Sequence, residues 1–110
     1  MSEFVQVMTT TGSRDEALAL ARGLVERQLA ACVHVAGPIS STYRWQGNVE
    51  TSDEWTCLIK TRRELYDQVE AAIAGAHSYD TPEIVAVPIW RGSEKYLAWL
   101  AAETLTPASQ

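Results

Sequence analysis

The stretch from Ala31 to Arg62 constrains this chain more than any other. It reads as two long strands, Cys32 to Trp45 and Val49 to Thr61, joined by a tight turn at Gln46-Gly47-Asn48. Strand side chains alternate between faces. A three-residue loop therefore gathers Val33, Val35, Ile39, Tyr43, Trp45, Val49, Trp55, Cys57 and Ile59 on one face. It pairs Trp45 with Val49, Ile39 with Trp55 and Val35 with Ile59, whereas a two-residue loop scatters the same residues over both faces. Gly37-Pro38 interrupts the first strand. Proline lacks a ladder donor, so a bulge or bend is expected there.

Length carries the next inference. Each arm has about 14 residues and reaches roughly 45 Å at about 3.3 Å per residue. A compact chain of this size has a radius of gyration of about 13 Å and a diameter near 34 Å. The arm outreaches its own body. An isolated two-stranded tip carrying Tyr43, Trp45, Val49 and Trp55 is marginal in water, so another copy of the chain is expected to cover it.

The 110 residues suit one domain spanning 1–110, with about 3–103 structured and a C-terminal tail at 104–110. A formal net charge of −5, without a basic cluster beyond Arg62-Arg63, argues against nucleic acid and against anionic membranes as partners. Cys32 and Cys57 form no CxxC pair, and on the register above Cys57 lies opposite Gly37, so no disulfide between them is expected. No basic-plus-apolar leader precedes Glu3 and no apolar run approaches about 18 residues. A cytoplasmic protein with reduced thiols is the expectation.

In chain order, Phe4 to Thr10 alternates as a first strand, and Ser13-Arg14-Asp15-Glu16 reads as a capping box. The helix after it carries Ala17, Leu18, Ala21, Leu24, Val25 and Leu29 at helical spacing and stops near Ala30. A second box, Thr61 to Glu64, opens a helix with a stripe of Leu65, Val69, Ala72 and Ile73, ended by Gly75. Ile84 to Ile89 is a fourth strand, and Gly92-Ser93 caps a short last helix. The fold class is α+β. Its order, β-α-β-β-α-β plus a C-terminal helix, is the ferredoxin-like split β-α-β plan, with two helices on one face of an antiparallel sheet.

His77-Ser78-Tyr79-Asp80-Thr81-Pro82-Glu83 is the richest polar stretch, placing an imidazole, a phenol and carboxylates just before a strand. His77 with Asp80 or Glu83 suits a borderline cation or a general base; the plainer reading is an ordered loop in which Glu83 pairs with a cation such as Lys60. Tyr43-Arg44-Trp45-Gln46-Gly47, Leu58-Ile59-Lys60-Thr61, His77 to Ile84 with Pro88-Ile89, Tyr96 to Leu100, and Ala30-Ala31-Cys32-Val33 together resemble the CutA divalent-cation tolerance family. The similarity runs from about Phe4 to Glu103. It implies a homotrimer joined through long hairpins, with copper and other divalent cations as partners. It also implies His77 and Cys32 as metal ligands. The chain departs from the family pattern at Met8-Thr9, His34, Ala76 and Ser78, where relatives carry other groups, and Met8 is left as a thioether donor or a core residue.

Tyr43, Trp45, Trp55, Tyr79 and Trp99, with Lys60 and Glu83, are expected at subunit junctions, either packing there or lining a cleft. Glu50 and the pair Asp53-Glu54 are expected to be solvated, and His34 to be a surface or helix-packed side chain. No obligatory cofactor is expected, and copper or another divalent cation is the candidate ligand. No Ser-His-Asp order, Gly-rich phosphate loop or metal-protease spacing points to an enzyme. The competing reading is a trimeric sensor, like the PII signalling proteins in architecture, with an intersubunit cleft lined by Tyr43, Trp45, Lys60, His77 and Tyr79.

Overall fold

The computed structural model describes residues 3–106. Its elements run β1 (Phe4–Thr11), α1 (Arg14–Glu26), β2 (Cys32–Trp45), β3 (Asn48–Arg62), a 3-10 turn (Arg63–Leu65), α2 (Tyr66–Ala76), β4 (Val85–Pro88) and α3 (Glu94–Ala102). The four strands form one sheet in the order β2-β3-β1-β4, with every neighbouring pair antiparallel. This is the ferredoxin-like α+β order expected from the sequence.

Residue chemistry explains where the helices begin and end. Ser13 Oγ accepts from Glu16 N–H (3.1 Å) and starts α1. The reciprocal half of the box is absent, because the Glu16 carboxylate instead accepts from Ser78 N–H and Ser78 Oγ–H, both at 2.9 Å. Ser93 caps α3 in the same way, through Tyr96 N–H. Thr61 caps nothing. It is still in β3, and its hydroxyl is buried and donates to Leu29 O (2.6 Å), so the second box is not formed and the chain enters α2 through the 3-10 turn. Gly75 lies within α2, and His77 is its C-cap.

One face of the sheet carries the main core. Val5, Val7, Cys57 and Ile59 meet Ala17, Leu20 and Leu24 of α1 and Leu65, Val69 and Ile73 of the α2 segment. The α2 stripe is the expected one. On α1 the stripe rotates: Leu20 is buried while Leu18 and Val25 are exposed, because two adjacent apolar stripes run along this helix and only one can face the sheet. α3 lies against one end of the opposite face, where Phe4, Ala31 and Leu100 form a second cluster. The helices are therefore not all on one face. Thr104 and Leu105, expected in the tail, are anchored. The Thr104 hydroxyl bonds Leu100 O and accepts from Arg62 Nε, and Leu105 N–H donates to Gln28 O. The rest of that expected tail, 107–110, lies outside the described residues.

The long hairpin is real, and it sets the 44 Å long axis of a subunit measuring 44 × 26 × 22 Å. Its register differs from the expectation. The loop has two residues, with Gln46 and Gly47 both at positive φ (49° and 83°) and Trp45 paired with Asn48. One residue of β2 is then absorbed as a bulge between Ala36 and Ile39, at Gly37-Pro38. The pairing is shifted by one residue at the tip and by two at the base. A shift of two leaves faces unchanged, so Val33, Val35, Cys57 and Ile59 stay together over α1. A shift of one divides the rest. Tyr43 pairs with Glu50 and Ile39 with Glu54, on the face away from α1, while Trp55 packs against the main core and Val49 points the other way from Trp45. Cys57, expected opposite Gly37, pairs with Val35.

Candidate functional site

Between the outer half of the hairpin and the loop after α2 lies a groove of about 710 Å3, lined by Thr10, Ser41 to Trp45, Glu50, Glu54, Tyr79, Asp80, Thr81 and Glu83. Four carboxylates line it, and Arg44, the one basic lining residue, alternates with Tyr43 and Trp45 and so directs its side chain to the other face with its partner Val49. Two features of the fold create this composition. The bulge turns Ser41, Tyr43 and Trp45 toward the same side as Glu50 and Glu54, and the bond from His77 to Thr10 O at the end of β1 holds the 79–83 loop beside them.

Glu54 is the most sheltered of these groups, at 8% exposure, and its Oε2 accepts from the Tyr79 hydroxyl (2.8 Å). Burial, and then the adjacent Glu54 carboxylate, push the Tyr79 phenol up to about 12. A solvated role was expected for Glu54. The structure buries it instead, because the bulge sets Ile39 beside it and the Tyr79 hydroxyl closes over its carboxylate. Asp53, one residue back, is exposed as expected.

His77 positions the loop. Its side chain is fully buried. Nε2 meets Thr10 O (2.7 Å), and Nδ1 accepts from Tyr79 N–H (3.0 Å), with Glu16 Oε2 3.6 Å from Nδ1. A carbonyl only accepts and an amide N–H only donates, so the ring is held as the Nε2–H tautomer with both nitrogens occupied. His77 thus pins α2 to the end of β1 and aims Tyr79 at Glu54.

Cys32 is elsewhere. It pairs with Lys60, which pairs with Gln6, four residues along β1 from the Thr10 carbonyl that holds His77. That offset is about 13 Å along the strand, with two further strand spacings of about 4.8 Å across it. One subunit does not bring His77 and Cys32 together. Cys32 Sγ lies 3.5 Å from His34 Nε2, and Lys60 Nζ is 3.4 Å from His34 Nδ1. Lys60 therefore meets His34 rather than Glu83, and burial lowers its ammonium pKa. Cys57 faces the helices, where burial pushes its thiol up to about 11. The two thiols are free and on opposite faces. Met8 stands on the same face as His34, two strands away.

Of the residues expected to line one cleft, Tyr43, Trp45, Tyr79 and Glu83 meet in the groove, while Lys60 and His77 do not line it. Trp45 and Trp99 are exposed, and Trp55 is half-buried against the core. The sequence reading passed over Arg44 as a groove residue and Trp90, which is 84% exposed with the Arg91 guanidinium 5.5 Å from its ring centroid. A tryptophan just past a strand end was the available signal for Trp90; nothing local marked Arg44. Among the described residues no helix is long and apolar enough to cross a membrane, and no three His, Cys, Asp or Glu side chains gather closely enough to hold a metal ion.

The sequence matches the CutA1 divalent ion tolerance protein family over residues 5–103. It is 40% identical over 98 residues to the divalent-cation tolerance protein CutA of Thermus thermophilus, covering 89% of this chain and 95% of that one. It is 39% identical over 100 residues to the chloroplastic CutA protein of Arabidopsis thaliana, covering 91% of this chain and 55% of that longer protein. The fold superposes on the crystal structure of CutA from Xylella fastidiosa with a TM-score of 0.92 at 35% identity, covering 94% of this chain and 100% of the other. Sequence and fold agree along almost the whole length: the chain belongs to the CutA1 divalent ion tolerance family.

Proposed function

We propose that this protein works as a cytoplasmic homotrimer contributing to tolerance of copper and other divalent cations, by reversible binding and without catalysis. The observation that carries the reading is the acidic groove. Glu50, Glu54, Asp80 and Glu83 line it with Arg44 as the one basic lining residue, a field that draws cations and repels anions. One subunit gathers no three-ligand cluster among its described residues, so a cation held there takes further ligands from water or from a second copy. The hairpin supports assembly for the same reason. Trp45 is 50% exposed and Val49 67% exposed on an arm set by a 44 Å subunit axis, and a neighbouring copy offers the cover that water does not. Val85 and Val87, on β4 at the opposite edge of the sheet, are exposed as well. The same field disfavours a nucleotide-type ligand, which weighs against the sensor reading.

Titration calorimetry of the tag-free protein with Cu(II) and Zn(II) tests cation binding. Dissociation constants well below about 0.1 mM, a binding free energy of about −5.5 kcal/mol, are expected; weaker binding removes direct sequestration. Native mass spectrometry tests the assembly. The wild type should give a trimer, and Trp45→Ser should shift it toward single copies by the about 2 kcal/mol or more that a central aromatic anchor contributes. A wild-type monomer sinks the trimer.

A further inference from the structure

The groove is not the only place where cation-binding groups converge. On the sheet face away from α1, Cys32 and His34 sit two residues apart on β2 and point the same way. Cys32 Sγ and His34 Nε2 are 3.5 Å apart. In a tetrahedral zinc site, with Zn–S about 2.3 Å and Zn–N about 2.0–2.1 Å, a sulfur and a nitrogen ligand lie about 3.5 Å from each other. The spacing is therefore already that of two ligands on one ion. We infer that Cys32 and His34 form a two-point chelate for a thiophilic d10 cation, Zn(II) or Cu(I), leaving the other two positions of the tetrahedron to water or to a second copy. This rests on the cation-binding reading above and gives it a second site of different ligand softness.

Lys60 governs the pair. Its ammonium has only protons to donate, so its 3.4 Å contact requires a bare Nδ1 on His34 and leaves the proton on Nε2. That tautomer points an N–H at the sulfur and occupies the nitrogen an ion needs. Metal binding moves the proton from Nε2 to Nδ1, where an acceptor favours it and an ammonium opposes it. This contact favours the metal-free form until Lys60 swings away, which its partly exposed stem allows. α3 brings the Tyr96 side chain beside Cys32 and covers the site from that side.

The reduced, metal-free, full-length protein titrated with Co(II), a spectroscopic substitute for Zn(II), gives the decisive readout, and competition with Zn(II) gives the affinity. A thiolate-to-cobalt charge-transfer band is expected in the wild type and absent in Cys32→Ser; His34→Asn, on an exposed position, should weaken Zn(II) about tenfold or more. Lys60→Gln, which offers an amide oxygen to Nδ1–H, should tighten Zn(II) by about tenfold. Zn(II) binding that keeps its affinity in Cys32→Ser but falls in Glu50→Gln overturns this inference while leaving the groove reading intact. Lys60→Gln binding that is unchanged or weaker overturns the role given to Lys60. A wild type that binds none of these ions overturns both readings.

Discussion

The two halves of the hairpin share one backbone ladder and differ in almost everything else. In the inner half, Val33 and Val35 pair with Ile59 and Cys57 over α1, and both β3 residues are fully buried. In the outer half, beyond the bulge, every residue from 39 to 53 is exposed or half-exposed. The strands are held by backbone pairing and by small cross-strand contacts such as the Thr42 and Thr51 hydroxyls at 3.0 Å and Tyr43 with Ser52 at 3.2 Å. Near the helices, hydrophobic burial selects the register, because a slip of one residue carries a whole apolar set into water. Away from them the turn selects it.

The largest effect should separate the halves directly. Ile59→Ala removes a fully buried side chain and is expected to cost about 2–5 kcal/mol in urea denaturation, whereas Val49→Ala should stay within about 0.5 kcal/mol for an uncovered tip. A loss at Val49 that matches Ile59 and grows with protein concentration would show that another copy covers the tip.

The boundary between the halves comes next. Gly37 has φ +156°, and a Cβ there would stand 2.7 Å from Trp55 Cδ1 and 2.9 Å from Glu54 O. Gly37→Ala should therefore cost about 1–3 kcal/mol and shift the Trp55 fluorescence, because the ring and the bulged backbone must both move. Unchanged stability would mean that the bulge is not the rigid joint between the two regions.

The smallest effect lies where the outer arm touches the loop. Tyr79→Phe removes the bond to the Glu54 carboxylate and should cost about 1 kcal/mol. It should also change the alkaline limb of stability. The phenol moves from 10.0 in the unfolded chain to about 12 in the folded one, so the folded state keeps a proton that the unfolded state has released. Stability is then fully present below about pH 10 and falls as pH rises toward about 12. Cys57, raised from 9.0 to about 11, acts in the same sense in both proteins and cancels in the difference. Urea midpoints of wild type and Tyr79→Phe should converge across that window; parallel curves would remove the Tyr79 contribution.

How much of this was legible beforehand depends on the range over which each feature is decided. The caps at Ser13 and Ser93, the Val69 and Ile73 stripe and the reach of the hairpin depend on neighbours in the chain, and local physics is enough to read them. The stripe on α1 already needed the sheet to choose between two adjacent rows. The burial of Glu54, the place of Trp55, the partner of Lys60 and the two bonds to His77 depend on parity counted from a turn and a bulge, or on loops that meet only in the fold.

Amino-acid order alone determined the succession of elements, an arm longer than its body and a chain short of positive charge. The folded molecule alone decided which side each outer-arm residue faces. Gln46 adopts a positive φ that its side chain does not advertise, and one extra residue is absorbed at Gly37-Pro38. Each event moves the pairing by a single position, and in a strand a single position is the difference between a covered face and an open one.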